Sequence, residues 1–269
     1  VKIAVVIETH DRRLTGGENY LARTLENLAR TDFWSSPYLH SLQISCGGTK
    51  DDDFLIEAEK YIPLGEEIIC EAEPCTRQQN AARAIRLGSD TNADYVMKLE
   101  DDLDFLDTFL ESVEAWLSDH GHAAVPMFTL AATFEKVSDS HYRAEDESVI
   151  RHGESFPRVR AMLAKGEAVA PHPVYGFYGA QCLVWRRQVA QQLADWLGPD
   201  PFLDDGREQH RQRGHDLLLQ IWGKEIGARC FAASVPSFVQ HIGRQSNIQN
   251  KFFEFPFPGR QWIYERRYR

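Results

Sequence analysis

The sequence predicts an α/β fold, with a mostly parallel central sheet flanked by helices. Three observations predict it. The chain opens on an apolar, β-branched run, Lys2-Ile3-Ala4-Val5-Val6-Ile7. Strand-like and helix-like patterns then alternate along most of the chain, the signature of a layered α/β domain. No Pro-, Gly- or Ser-rich linker and no internal repeat divides the 269 residues, so one domain is expected.

The elements follow in order. Residues 2–7 read as a buried strand. Polar residues 8–13 and the Gly16-Gly17 turn lead to Asn19–Arg30, whose Leu21, Leu25 and Leu28 form a helical face. Leu39–Ile44 alternates as a second strand and stops at Gly47-Gly48. Lys50–Tyr61 reads as a helix, Glu67–Cys70 as a short strand, and Thr76–Leu87 as an Ala- and Arg-rich helix. Ala93–Leu99 is a strand that runs straight into Glu100-Asp101-Asp102. Phe105–Leu117 is amphipathic, Phe128–Thr133 strand-like, and 137–172 polar and irregular, a long loop or insertion. An aromatic, glycine-containing segment, Val174–Trp185, leads into a strand. Gln188–Leu197 is a helix, Gly214-His215-Asp216 opens another to Trp222, and Ala228–Ser234 is the last strand. The segment Pro236–Gly243 after it reads as a loop.

Composition bounds the function. Apolar residues are 43 % and aromatics 11 %, which excludes a largely disordered chain. Lys plus Arg is 30 against 40 Asp plus Glu, a net charge of −10, which disfavours a protein that coats nucleic acid. No stretch approaches the roughly 20 apolar residues of a membrane span. Cys46, Cys70, Cys75, Cys182 and Cys230 are irregularly spaced without a C-x-x-C, so free thiols are expected rather than a zinc ribbon or a redox dithiol. The chain opens directly on a strand with no secretory signal pattern, and with free thiols this gives the expectation of a cytoplasmic protein. No G-x-G-x-x-G follows the first strand, which disfavours a dinucleotide-dependent oxidoreductase.

The chemistry concentrates where Leu99 gives way to Glu100-Asp101-Asp102. In open α/β sheets, ligand sites lie beyond the carboxyl ends of the strands. Adjacent carboxylates there repel and need a cation. Mg²⁺ or Mn²⁺ takes oxygen ligands and shares them with substrate phosphates. A solvated turn or a helix N-terminus would account for the acids equally well. Asp216 at a helix start is either an N-cap or a general base. His241, in Pro236-Ser237-Phe238-Val239-Gln240-His241-Ile242-Gly243, is either a hydrogen-bonded imidazole or a metal ligand.

Taken together these motifs resemble the GT-A-fold glycosyltransferases that use nucleotide sugars. Tyr95–Asp102 is similar to the family's D-x-D strand, here as E-D-D. The late segment is similar to the P-S-x-x-Q-H-x-G of the branching N-acetylglucosaminyltransferase type. Glu100 departs from the family's Asp, and His215 stands where many relatives carry an acid.

The resemblance implies a GT-A (Rossmann-like) domain over 1–250, with a donor half over about 1–104 and an acceptor half over about 105–250. It implies transfer of a sugar from a UDP-sugar to an acceptor hydroxyl, with inversion. Asp216 would be the catalytic base. Asp102 and His241 would hold Mn²⁺ or Mg²⁺. Thr9, Arg12, Arg13, Arg77, Asn80, Glu100 and Asp101 would bind the nucleotide sugar. Tyr175, Phe177, Tyr178 and Gln181 would meet the acceptor. Aromatic faces suit sugar rings, although core packing is the ordinary use of such residues. Residues 251–269 carry five basic and two acidic residues among seven aromatics. They would form an arm that packs across an acidic face, makes an oligomer contact, or docks an anionic or aromatic acceptor. A modified nucleic-acid base, as in phage DNA, is a minority option there. The rivals are a metal-dependent hydrolase or phosphoryl-transfer enzyme, and a non-catalytic nucleotide-sugar or glycan binding module.

Overall fold

The computed structural model describes residues 1–10, 19–47, 52–64, 69–72, 75–130, 162, 164–174, 177, 180–198, 215–235 and 237–241. The side chains of Asp52, Ala72, Arg77, Pro173, His215, Gln240 and His241 lie outside that description. So do the expected arm 251–269 and the residues Arg12, Arg13, Tyr175 and Tyr178.

Strands are β1 Ile3–Thr9, β2 Leu39–Cys46, β3 Ile69–Ala72, β4 Tyr95–Glu100, β5 Leu103–Phe105, β6 Phe128–Thr129, β7 Val169–Pro173, β8 Cys182–Arg186, β9 Cys230–Ser234 and β10 Val239–His241. Helices are α1 Tyr20–Leu28, α2 Asp52–Glu59, α3 Arg77–Ser89, α4 Phe109–His120, α5 Arg187–Leu197 and α6 His215–Glu225. Eight strands form the main sheet in the order β3-β2-β1-β4-β8-β6-β9-β7, and β10 pairs with β5 in a second, two-stranded sheet. β3, β2, β1 and β4 are mutually parallel, β6 and β9 share their direction, and β8 and β7 run against it. The predicted mostly parallel α/β fold is the observed one.

Side chains alternate across this sheet. On β4, Tyr95, Met97 and Leu99 join the core beneath α1, α2 and α4, whereas Val96 faces the core beneath α3, α5 and α6. Both faces of the central strands are therefore covered, which is why β1 is apolar along its length.

Caps set where the helices begin. The Asn19 side chain accepts from Ala22 N–H at the start of α1, and its amide nitrogen donates to Phe54 O and Glu57 Oε2 of α2. Thr76 and Gln79 form a reciprocal capping box at the start of α3. At α4 the cap comes from far away: Asp32 accepts from Leu110 N–H at 2.9 Å and Glu111 N–H at 2.8 Å. That cap explains one correction. The helix expected from Phe105 starts at Phe109, and Phe105 ends β5.

Other expectations change too. Residues 169–173, of which 169–172 were expected to be irregular, form β7 against β9. Pro171 and Pro173 obscured it, because proline cannot donate to a sheet ladder; β7 lies at the sheet edge, where proline is tolerated. Val239–His241, expected in a loop, is β10. Of the strand expected over Phe128–Thr133, Phe128–Thr129 is a strand and 131–133 lie outside the described residues. All five cysteines are free thiols. Among the described residues, no helix is long and apolar enough to cross a membrane.

Candidate active site

The sheet order places β1 between β2 and β4, so chain connections diverge on either side of β1. A crevice forms at such a switch point, outside the carboxyl ends of the strands. Thr9-His10 leaves β1 there and Glu100-Asp101-Asp102 leaves β4, with Glu8 directly opposite Glu100 in the register.

The acidic turn is held from two sides. Thr9 Oγ1 donates to Asp101 Oδ2 at 2.6 Å, and His10 N–H donates to the same oxygen at 3.4 Å. From α1, Thr24 Oγ1 donates to Asp101 O at 2.6 Å and accepts from Leu103 N–H at 3.1 Å. Asn27 Nδ2 donates to Leu103 O at 3.0 Å. Asp101 and Asp102 are only 1 % and 3 % exposed, while Glu100 is half-buried. Buried carboxylates need such donors or a cation. Asp101 is thus turned toward Thr9 and His10.

The second sheet adds the late segment. β10 runs antiparallel to β5 with His241 opposite Leu103 and Gln240 opposite Asp104. The backbone of His241 therefore lies beside that of Asp102, although the two are far apart in sequence. Carboxylate oxygens such as those of Asp102, completed by substrate oxygens, would suit Mg²⁺ or Mn²⁺. Among the described residues, no group of three or more His, Cys, Asp or Glu side chains is placed to hold an ion unaided.

On the other side of the crevice, Ala180 N–H donates to Asp216 Oδ1 at 3.1 Å. Gln181, the next residue, accepts from Glu100 N–H through its carbonyl at 2.9 Å. The segment before β8 therefore links the acidic turn to the first turn of α6. The Gln181 Oε1 atom is buried and has no hydrogen-bond partner among the described residues.

Asn80 sits deeper. Its amide nitrogen donates to Thr9 O at 2.9 Å and Ser45 O at 3.3 Å, and its oxygen accepts from Ser45 Oγ at 2.7 Å and Arg83 Nη2 at 2.9 Å. Arg83 also donates to Ser45 Oγ and Cys46 O. Asn80 thus ties the ends of β1 and β2 to α3. Gly47 completes the tie: a Cβ there would meet His10 Cε1 at 2.5 Å and Asn80 Cγ at 2.7 Å. Arg77 opens α3 beside it. Phe177 is 1 % exposed and packs edge-on against His172 and Phe231, which makes it core beneath the aromatic segment.

Sequence reasoning brought forward Thr9, Asp101, Asp102, His241 and Asp216, and the fold draws their backbones toward this end of the sheet. It missed Thr24, Asn27, Ser45 and Arg83, which leave no local signal because such polar residues are common on helix faces and in strands, and only their partners across the fold give them a role. It also missed Glu8 and Lys98, which did leave one: a charge inside an apolar strand run.

The fold matches solved structures. The chain superposes on Staphylococcus aureus TarS 1–349 in complex with UDP-GlcNAc with a TM-score of 0.55 at 11 % identity, covering 91 % of this chain and 60 % of that one. For the same protein with UDP the TM-score is 0.51 at 10 % identity, covering 87 % and 58 %. The chain thus spans about three fifths of the length of those structures, and its α/β fold is of the GT-A kind. No protein-family model matches the chain. No curated protein matches it either.

Proposed function

We propose that this chain is a metal-dependent glycosyltransferase that moves a sugar from a UDP-sugar to an acceptor hydroxyl with inversion. One observation carries the reading: the Asp216 carboxylate is held by Ala180 N–H, and the next residue, Gln181, is hydrogen-bonded to Glu100 of the acidic turn after β4. The fold shared with a protein crystallised with UDP-GlcNAc supports a nucleotide-sugar donor. The late segment's likeness to the branching N-acetylglucosaminyltransferase type supports a ligand role for His241.

In this reading Asp102 and His241 would hold Mn²⁺ or Mg²⁺, and the ion would supply charge neutralisation to the diphosphate leaving group. Thr9 and His10 fix Asp101, and with it the backbone that presents Asp102. Glu100, with Arg12, Arg13 and Arg77, meets the nucleotide, while Asn80 positions the floor beneath it. Asp216 takes the acceptor proton on its carboxylate while Ala180 N–H holds Oδ1. Attack from the face opposite the diphosphate, through an oxocarbenium-like transition state, inverts the anomeric carbon. Gln181, Tyr175 and Tyr178 meet the acceptor. Residues 1–104 form the donor half, 105–250 the acceptor half, and 251–269 an arm.

The test has two stages. Melting temperature is measured against UDP-sugars with Mn²⁺, Mg²⁺ or chelator, since a ligand of the folded state raises it. Transfer is then followed with the stabilising donor and an acceptor panel. A chelator-sensitive stabilisation is expected, with an inverted product and a loss of roughly 10²- to 10⁴-fold in kcat for Asp216→Asn. Retained configuration would sink the inverting assignment. UDP-sugar hydrolysis without any glycosylated product would point to a hydrolase, and binding without turnover to a binding module.

A further inference from the structure

Strand register lines up one polar row across five strands. Glu71 of β3 lies opposite Ser45 of β2, Ser45 opposite Glu8 of β1, and Glu8 opposite Glu100 of β4. β4 and β8 pair antiparallel with Leu99 opposite Cys182. The hydrogen bond from Glu100 N–H to Gln181 O, at 2.9 Å, carries that pairing one residue further, so Gln181 ends the row. Directly opposed residues of neighbouring strands share a face. Here it is the face of Val96, Leu183 and Trp185, beneath α3, α5 and α6. No further row follows on it before β1, β2 and β4 end at the crevice.

At the β3 end the protein serves every member of the row. Arg83 Nε donates to Ser45 Oγ at 2.9 Å and lies 4.0 Å from Glu71 Oε2, and Ser45 Oγ donates to Asn80 Oδ1 at 2.7 Å. One row deeper, buried Lys98 donates from Nζ to Glu8 Oε2 at 2.7 Å. At the β8 end the two acceptors are unmet. Gln181 Oε1 is shut from water, and the Glu100 carboxylate is half-buried; neither accepts a hydrogen bond from a described residue. The two residues face each other across a hydrogen-bonded antiparallel pair, where Cα atoms are about 5.5 Å apart. A buried acceptor without a donor costs stability, so its persistence calls for a reason. The segment that carries Gln181 is also fixed: Ala180 N–H donates to Asp216 Oδ1 at 3.1 Å, and Gln220 Nε2, one turn along α6, donates to Phe177 O at 3.0 Å.

We propose that Glu100 and Gln181 form a hydroxyl clamp, which accepts hydrogen bonds from two adjacent hydroxyls of one sugar ring and selects the sugar by their arrangement. A vicinal diol brings two donors to two neighbouring acceptors, whereas an isolated hydroxyl leaves one of them unpaired. An epimer with one hydroxyl turned away does the same, and a site that loses a buried hydrogen bond in this way discriminates strongly. That the sugar is a substrate rests on the transferase reading; the clamp itself does not. The ring belongs either to the donor or to the acceptor, and the two arms of the test tell them apart.

The full chain, Gln181→Met and Glu100→Gln are compared with Mn²⁺ present. In the donor arm, calorimetry gives the affinities of UDP, UDP-glucose, UDP-galactose and UDP-N-acetylglucosamine. In the acceptor arm, saturation-transfer NMR ranks free glucose, galactose and N-acetylglucosamine. Wild type should prefer one isomer by about tenfold or more in one arm, and each variant should lower that preference by about tenfold beyond any change in UDP affinity. A preference lost among UDP-sugars assigns the clamp to the donor, and one lost among free sugars assigns it to the acceptor. The melting temperature of unliganded Gln181→Met separates recognition from structure. It should equal or exceed that of wild type, because the variant removes a buried oxygen that the free chain leaves unpaired. A clear drop there would overturn the proposal, as would a wild type with no preference in either arm. So would folded variants that keep the wild-type preference in both. Loss of UDP binding from the picture altogether, with discrimination among free sugars still dependent on Gln181, would remove the transferase reading and leave the clamp standing.

Discussion

Replacing Thr24 by valine is the sharpest probe of how the acidic turn is built. The substitution keeps the shape of the side chain and removes one hydroxyl. That hydroxyl donates to Asp101 O at 2.6 Å and accepts from Leu103 N–H at 3.1 Å, at a position with no solvent exposure. Each buried group deprived of such a bond costs about 1–3 kcal/mol, and the added methyl returns up to ~1 kcal/mol through apolar burial. The expected net loss is about 2–4 kcal/mol. For a chain of this size, a change of 1 kcal/mol moves the melting temperature by roughly 2–4 °C, so a drop of about 5–15 °C is expected. Urea unfolding and thermal melting of wild type, Thr24→Val and Thr24→Ser measure it. Serine keeps the hydroxyl and loses one methyl, so its cost should stay near ~1 kcal/mol. If valine costs no more than serine, the Thr24 bridge is not what holds the turn, and the account of how Asp101 and Asp102 are presented fails.

Gly47→Ala should cost about 1–3 kcal/mol, because the new methyl meets His10 and the fully tied Asn80; an unchanged urea midpoint would refute that close approach. Arg186→Met should lose about 2–4 kcal/mol, since the guanidinium donates to Gly121 O, Ala123 O and Val125 O between α4 and β6. Amide exchange of residues 121–125 should quicken in that variant, and unchanged exchange would argue against the clamp. The Lys98 pKa is raised in the folded chain above its ordinary value of 10.5. Its stabilising contribution is therefore complete below that value and is lost as pH climbs through the higher folded value. The stability of wild type relative to Glu8→Gln/Lys98→Met should be constant at lower pH and fall above it; a difference that stays flat up to pH 12 would contradict a charged, paired Lys98.

What was legible in the sequence was local. Hydrophobic period marked β1, β2, β4 and most helices, because each must bury one face or both against the sheet. The helices over Asn19–Arg30 and Thr76–Leu87 were legible in the sequence, and the structure shows Asn19 and Thr76 to be the caps that start them. The acids after Leu99 stood out for their place at a strand end, and Asp216 for its place at a helix start. What only the tertiary structure decided was long-range. β7 hides behind its prolines until a sheet edge makes room for them. β10 is too short to be a strand by itself and exists because β5 lies opposite it, which is how His241 comes beside the acidic turn. Thr24, Asn27 and Arg83 became meaningful only when helices brought them against strand ends. Lys98 and Glu8 are 90 residues apart and form a pair only because β1 and β4 are neighbours. The physical reason is common to all of these: burial pattern is written along the chain, whereas a hydrogen bond or an ion pair has meaning only once both partners have been removed from water together.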